Sequence, residues 1–352
     1  MRIANSRIGF EKSPSDARCK ILISTTLALF FIFSISSLSP LSYQSAYVTA
    51  ASGFQVLCSS LPGGDTPSDL YPAGAAAAFV VDSNNGNLVL CSGGTSKTVA
   101  AAPAGSPGFG TGIAGVTTSK NGLVLAIVAQ DFGLWLCKGA TLTGCKSESS
   151  FINFPSTFCN NEPSAGCFAN GAALDPSLNL YFADPVSFVF VECTAASNYQ
   201  SCKNLPATAQ LQKEDTDCLG CDNGPAWVSL QGTTFYTTAY CNGYVNKGTV
   251  SSSKAPIIFT VKSELGGIAL SANNPTKTMH VYAAVDGKNS PSFCNAKDRV
   301  GTPRIMDLTD GKSLPTPVLS KGQVFYGLDS NLQFVVDFSS KGGAVYQTAD
   351  TA

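Results

Sequence analysis

The sequence predicts an all-β fold, and three observations predict it. The chain of 352 residues is 44% hydrophobic but only 13% charged, about half the usual charged share of ~25%. Glycine (33) and proline (19) are frequent, which suits turn-rich β structure rather than helical bundles rich in Glu, Lys, Arg and Leu. Short apolar runs, separated by turn residues, recur along most of the chain.

The recurring unit is a small residue, an apolar stretch, a polar turn and a second apolar stretch, often ended by Asp. It is read at 74–94 (GAAAAFVVDSNNGNLVLCSGG), 112–131 (GIAGVTTSKNGLVLAIVAQD), 171–184 (GAALDPSLNLYFAD), 224–241 (GPAWVSLQGTTFYTTAYC), 267–286 (GIALSANNPTKTMHVYAAVD) and 326–337 (YGLDSNLQFVVD). Each copy reads as strand, turn, strand, with Asn-Gly, Asp-Pro-Ser, Gln-Gly or Asn-Pro at the turn. Further strands are expected at 134–137, 188–191, 257–261 and 344–346. A four-stranded propeller blade takes about 40–50 residues, with insertions falling in loops. Six copies spaced 38–59 residues apart therefore predict a six-bladed β-propeller over residues 51–352. A β-sandwich also uses short alternating strands, but the return of one specific hairpin favours the propeller. The apolar segment 53–57 (GFQVL) is expected to pair with the last blade and close the ring, which removes exposed sheet edges.

The copies 171–184 and 267–286 resemble the NHL-type and related six-bladed propellers, in which a small-apolar strand and a turn precede a Leu-Tyr-Val-Ala-Asp-like strand. The resemblance covers most of residues 54–350. The first copy departs from it by ending in Cys91-Ser-Gly and the fourth by ending in Tyr240-Cys241, where the family has Asp.

Residues 1–50 read as a targeting segment. Five basic residues stand against two acidic ones in residues 1–20, and an apolar run spans 21–38. Small residues at Val48-Thr49-Ala50 suit cleavage after Ala50 by a signal peptidase. The run also approaches the length of a membrane span, so an uncleaved signal anchor is the alternative. Both place the C-terminal domain outside the cytoplasm, secreted or as a single-pass protein, with membrane contact only through this segment. Of 13 cysteines, 12 lie beyond Ala50, an even number suited to disulfides in an oxidising compartment. Cys137 with Cys145, Cys193 with Cys202 and Cys159 with Cys167 enclose short loops and are the expected local bridges. Cys58, Cys91, Cys241 and Cys294 are left to pair over longer distances. Cys218-Leu-Gly-Cys221 has the spacing of a redox dithiol or half a zinc site. It lacks the helix start of the first and the second ligand pair of the second, so it too reads as disulfide cysteines.

Composition excludes several functions. The single histidine, His280, removes HExxH zinc sites and schemes that need several histidines. A net charge of −1 speaks against a nucleic-acid partner. There is no GxSxG elbow, Walker A or Rossmann fingerprint. The acidic loop 214–222 fails the calcium-loop pattern, with Leu219 at one ligand position and Ala226 where Glu is required. Asp131, Asp184, Asp286 and Asp337 close the second strand of four copies and are the candidate ligand or metal residues. Each also suits a local role, accepting turn N–H groups. The resemblance implies that calcium is held by carboxylates at a channel mouth, and it reaches these four by repeat position only. Trp135 and Trp227 suit core packing or sugar stacking. The leading expectation is a non-catalytic module without a cofactor, binding an extracellular protein or carbohydrate ligand. The alternatives are a calcium-dependent lactonase-like hydrolase and a structural cell-wall or surface protein.

Overall fold

A computed structural model describes residues 54–64, 67–74, 76–82, 87–101, 112–119, 122–128, 134–138, 146–147, 171–184, 189–211, 224–239, 243–261, 263–271, 279–285, 304–314, 324–328, 334–338 and 343–348. They belong to one compact unit, Thr49–Ala352. The expectations placed on residues 1–50, Asp131, Asp286, Cys145, Cys159, Cys167, Cys218, Cys221, Cys241, Cys294 and the acidic loop lie outside the described residues.

A strand covered on both faces reads as a continuous apolar run rather than an alternating one. The run GLVLAIV (Gly122–Val128) behaves this way and is buried at its last five positions. The chain opens with β1 (Phe54–Cys58). The first sheet holds β2 (Pro67–Gly74), β3 (Ala77–Asp82), β4 (Leu88–Ser92) and β5 (Thr95–Ala100). The second holds β6 (Gly112–Thr118), β7 (Gly122–Val128), β8 (Leu134–Lys138) and β9 (Lys146–Ser147). The third holds β10 (Ala172–Leu174), β11 (Leu180–Asp184), β12 (Val189–Cys193) and β13 (Cys202–Asn204), followed by a short helix α1 (Thr208–Leu211). The fourth holds β14 (Pro225–Gln231), β15 (Thr234–Ala239), β16 (Tyr244–Thr249) and β17 (Ile257–Thr260). The fifth holds β18 (Leu265–Ser271), β19 (His280–Val285), β20 (Arg304–Asp307) and β21 (Lys312–Ser313). The sixth holds β22 (Val324–Leu328), β23 (Phe334–Phe338) and β24 (Val345–Thr348), with β1 added beyond β24.

The described strands thus form six four-stranded sheets, each antiparallel and in simple up-and-down order. Their first strands touch in succession, β2 to β6, β10, β14, β18 and β22, and β22 returns to β2. The architecture is an all-β propeller. Apolar clusters fill the spaces between neighbouring sheets. Phe79 and Val81 face Ile127 and Trp135 between the first two. Phe190 meets Phe235 edge-on at 4.7 Å between the third and fourth. Leu57 and Val345 meet Leu70 and Val80 between the last and the first. No helix among the described residues is long and apolar enough to cross a membrane.

The ring closes as the apolar segment 53–57 leads one to expect. Phe54 pairs with Thr348 and Val56 with Tyr346. Cys58, at the end of this closing strand, is bonded to Cys91 on β4 of the adjacent sheet, with Cα atoms 5.6 Å apart. Cys193 and Cys202 lie opposite each other on β12 and β13 and are bonded, stapling the outer hairpin of the third sheet. Cys137 is also disulfide-bonded. The formed disulfides suit an oxidising, extracellular environment.

The Cys58–Cys91 bridge spans 33 residues, worth about 3–4 kcal/mol in the chain-entropy account. A Cys58→Ala/Cys91→Ala chain should lose that much in urea denaturation. A loss under about 1 kcal/mol would show that strand pairing alone holds the ring shut.

One expectation needs correcting. The copy at 74–94 reads in sequence as the first two strands of its blade, but it spans β3 and β4, the second and third. The inner strand β2 precedes it, carrying Pro67, Asp69 and Pro72 where the repeat calls for an apolar run. Proline lacks an N–H, so it is tolerated on a sheet's edge strand, and β2 is the inner edge of its sheet.

Candidate functional site

A cavity of about 230 Å³ lies among the inner strands β2, β6, β10, β14 and β18. Asp69, Tyr71, Gly115, Leu174, Trp227 and Ser229 are on its wall. Asp69 is the one carboxylate on that wall among the described residues. Its Oδ1 accepts the Leu70 N–H at 2.9 Å and its Oδ2 accepts the Ile113 N–H at 3.0 Å. The side chain therefore ties the first sheet to the second. Asp69→Ala would leave two buried amides without this acceptor and should cost about 2–4 kcal/mol. Differential scanning calorimetry reads that loss, and a change within ~0.5 kcal/mol would remove Asp69 from the tie. The Ser229 hydroxyl is buried with no hydrogen-bond partner among the described residues. Trp135 and Trp227 are both buried, so packing is the main role of each, although Trp227 also borders the cavity.

The second strand of each sheet returns to the end at which the inner strands begin. At this end Asp184 is the last residue of β11 and fully buried, and it is not on the cavity wall. Asp337 lies in β23, opposite Phe325. Asp82 escapes the sequence reading. It is the last residue of β3, pairs with Pro67 and is fully buried. The signal is present in the run FVVD, which matches YFAD of the third sheet once β2 is recognised. Glu264, buried just before β18, is a further acid at this end that the sequence pattern does not single out.

The other end of the fifth sheet carries the histidine. His280 begins β19 and Asp307 ends β20, and Tyr282 is the direct partner of Asp307. Side chains two residues apart share a strand face, so His280 reaches Asp307 diagonally. Its Nδ1 lies 2.6 Å from Asp307 Oδ2. A carboxylate only accepts, so Nδ1 carries the proton. Asp307 Oδ1 accepts the N–H groups of Thr309 at 3.0 Å and Asp310 at 3.3 Å. The Tyr282 ring stacks on the imidazole with centroids 6.1 Å apart. Burial, then the charges of Asp307 and Asp310, raise the Tyr282 phenol above its ordinary pKa. Potential ligand atoms of His280, Asp307 and Asp310 all lie within 4.8 Å of one another.

A second polar network fixes the same end of the third sheet. Tyr181 Oη lies 3.1 Å from Glu192 Oε1 and 3.3 Å from Asp175 Oδ2. Asp175 Oδ1 also accepts the N–H groups of Ser177 and Asn179, which shapes the turn between β10 and β11. Burial, then the negative charges of Glu192 and Asp175, hold the Tyr181 phenol far above its ordinary 10.0. A raised native pKa stabilises fully below the unfolded value and is lost as pH climbs beyond it. Tyr181→Phe should therefore cost about 1–2 kcal/mol at neutral pH and progressively less above pH 10.0. Urea titrations at several alkaline pH values test this, and a cost independent of pH would refute the linkage.

No protein-family model matches the chain, and no curated protein sequence does either. Solved structures share its fold. A protein of unknown function from Bacteroides thetaiotaomicron is 15% identical, with a TM-score of 0.57 over 85% of this chain and 76% of that one. A protein described as a putative gluconolactonase is 11% identical, with a TM-score of 0.51 over 85% and 93% of the two chains. The calcium-binding protein regucalcin from Agrobacterium tumefaciens is 14% identical, with a TM-score of 0.50 over 85% and 93%. At these identities the likeness is one of fold: the chain is a propeller of the architecture that these proteins share.

Proposed function

We propose that the chain is an extracellular, non-catalytic binding module, a propeller whose six sheets are its six blades behind a targeting segment at residues 1–50. Its ligand is an extracellular protein or carbohydrate, held by the connections at the end where the inner strands begin. The observation that carries this reading is the tie made by Asp69. The one carboxylate on the cavity wall among the described residues serves structure, with both oxygens engaged by backbone N–H groups. Chain lengths support the choice of end. The connections 148–171 and 286–303 join strand termini there, and 212–224 leads from α1 to the start of β14 at the same end. Long connections on a rigid scaffold are where binding residues concentrate.

The test is binding of the secreted protein to arrays of glycans and of extracellular proteins. Saturable binding to one class, lost when residues 148–170 are replaced by a short linker in a folded chain, is the expected result. Chelator-sensitive lactone or ester hydrolysis would replace this reading with the second one, a calcium-dependent lactonase-like hydrolase. The buried Asp82, Asp184 and Glu264 at the same end favour that alternative, as does the fold shared with the gluconolactonase-like protein and regucalcin. Elemental analysis with a chelation melt separates the two. Calcium at one equivalent and a lowered melting point under chelator belong to the hydrolase.

A further inference from the structure

We propose that His280, Asp307 and Asp310 bind one divalent transition-metal ion, zinc foremost, on the fifth sheet at the end opposite the ligand-binding face. The site is separate from the acids near the inner-strand starts. One imidazole and two carboxylates form a nitrogen-containing set, and imidazole selects zinc, copper and nickel over calcium and magnesium. Three protein ligands leave a fourth zinc position open to water.

Sheet register brings the three residues together. His280 and Asp307 share one face of neighbouring strands, and Asp310 follows in the turn before β21. Val281 N–H donates to Thr309 Oγ1 at 3.0 Å, so the turn that carries Asp310 is fastened to the strand that carries His280. The Asp307 side chain is 8% exposed and that of His280 14%, whereas Asp310 at 43% opens the group to solvent. Metal therefore has an entry path, and the two inner ligands are already oriented by packing, as outer contacts orient ligands in metal sites. Two carboxylates and a divalent ion neutralise one another in a partly buried place where an uncompensated charge is costly.

Binding requires small local changes, including closure of Asp310, whose ligand atom lies within 4.8 Å of the other two. The His280–Asp307 separation of 2.6 Å must widen to ~3.4 Å, the spacing that bonds of ~2.1 Å give at a tetrahedral centre. The Nδ1 proton leaves to solvent as the metal takes its place. Lys312 Nζ, 3.7 Å from Asp310 Oδ2 and 77% exposed, competes weakly for the same carboxylate and swings away.

The experiment is calorimetric titration of the full-length protein, stripped of metal, with zinc and separately with calcium. The expected result is one zinc per chain, undisturbed by millimolar calcium. Asp310→Asn and His280→Ala should each weaken binding by about 10–100-fold. Lys312→Ala should tighten it by about 2–5-fold by removing the competing cation. Asp310 lies on an exposed turn, so Asp310→Asn remains informative even if His280→Ala fails to fold. Absence of stoichiometric zinc binding, or binding unchanged in a folded Asp310→Asn chain, overturns the proposal.

Discussion

A Gly243→Ala chain should fail to reach the native fold, or reach it with a stability loss above about 4 kcal/mol. Gly243 precedes β16 with φ +64°, a left-handed conformation that an L side chain adopts only at a cost. The larger effect is steric. A Cβ there would run into the carbonyl oxygens of Val261 and Ser263, on the segment that leads from the fourth sheet into the fifth. These are backbone atoms, and Val261 is fixed by donating its N–H to the Gly243 carbonyl at 2.8 Å. Relief would require moving the inner strand β18 that follows. Gly232 is the control. It has φ +59° in the two-residue turn between β14 and β15, and a Cβ added there would meet nothing within 4 Å. Gly232→Ala should therefore cost only about 1 kcal/mol, the conformational part alone. Circular dichroism and urea denaturation of both variants separate the two contributions. Equal losses would mean that Val261 and Ser263 give way without penalty, and the close-approach account would fall.

The same contrast between local and distant causes explains what can be read in the sequence. The hairpin 171–184 is legible because its second strand packs between two sheets, and such a strand is apolar at nearly every position. The closing strand is legible because Phe54, Leu57 and Cys58 are buried, although Gln55 between them is exposed. β2 is not, because its edge position admits Pro67 and Pro72 and its Asp69 answers to an amide 44 residues away. Losing β2 shifts the first copy by one strand and hides Asp82 as the counterpart of Asp184. Disulfides divide similarly. Cys193 and Cys202 are nine residues apart on one hairpin, whereas Cys58 meets Cys91 only because β1 joins the last sheet beside the first. The His280–Asp307 contact depends on the register between β19 and β20 across the long connection 286–303. Spacing along the chain does not encode that register, so the histidine's partner becomes visible only with the fold.

Gly171→Ala should cost about 3–5 kcal/mol, and its cause is the ring itself. The small residue that opens several copies is a sequence regularity, and Gly171 shows what it is for. Inner strands converge on the axis, and here the backbone of the third sheet lies directly against that of the fourth. Gly171 donates its N–H to the Ala226 carbonyl at 2.8 Å, while its own carbonyl accepts the Ala183 N–H at 3.1 Å. A Cβ on Gly171 would meet Trp227 Cα at 2.5 Å and Val228 N at 2.9 Å, neither of which can turn aside as a side-chain tip can. Gly115 provides the comparison, since the obstacle to its Cβ is the Tyr71 ring rather than backbone. Rotation of Tyr71 relieves that clash, so Gly115→Ala should be the milder change, and Tyr71→Ala in the same chain should remove most of its cost. Nothing equivalent rescues Gly171→Ala, because truncating Trp227 leaves its Cα in place. Denaturation of the two single variants and the two double variants decides the matter. Rescue of Gly171→Ala by Trp227→Ala would show that side-chain crowding, and not the approach of the two backbones, sets the distance between neighbouring sheets at the axis.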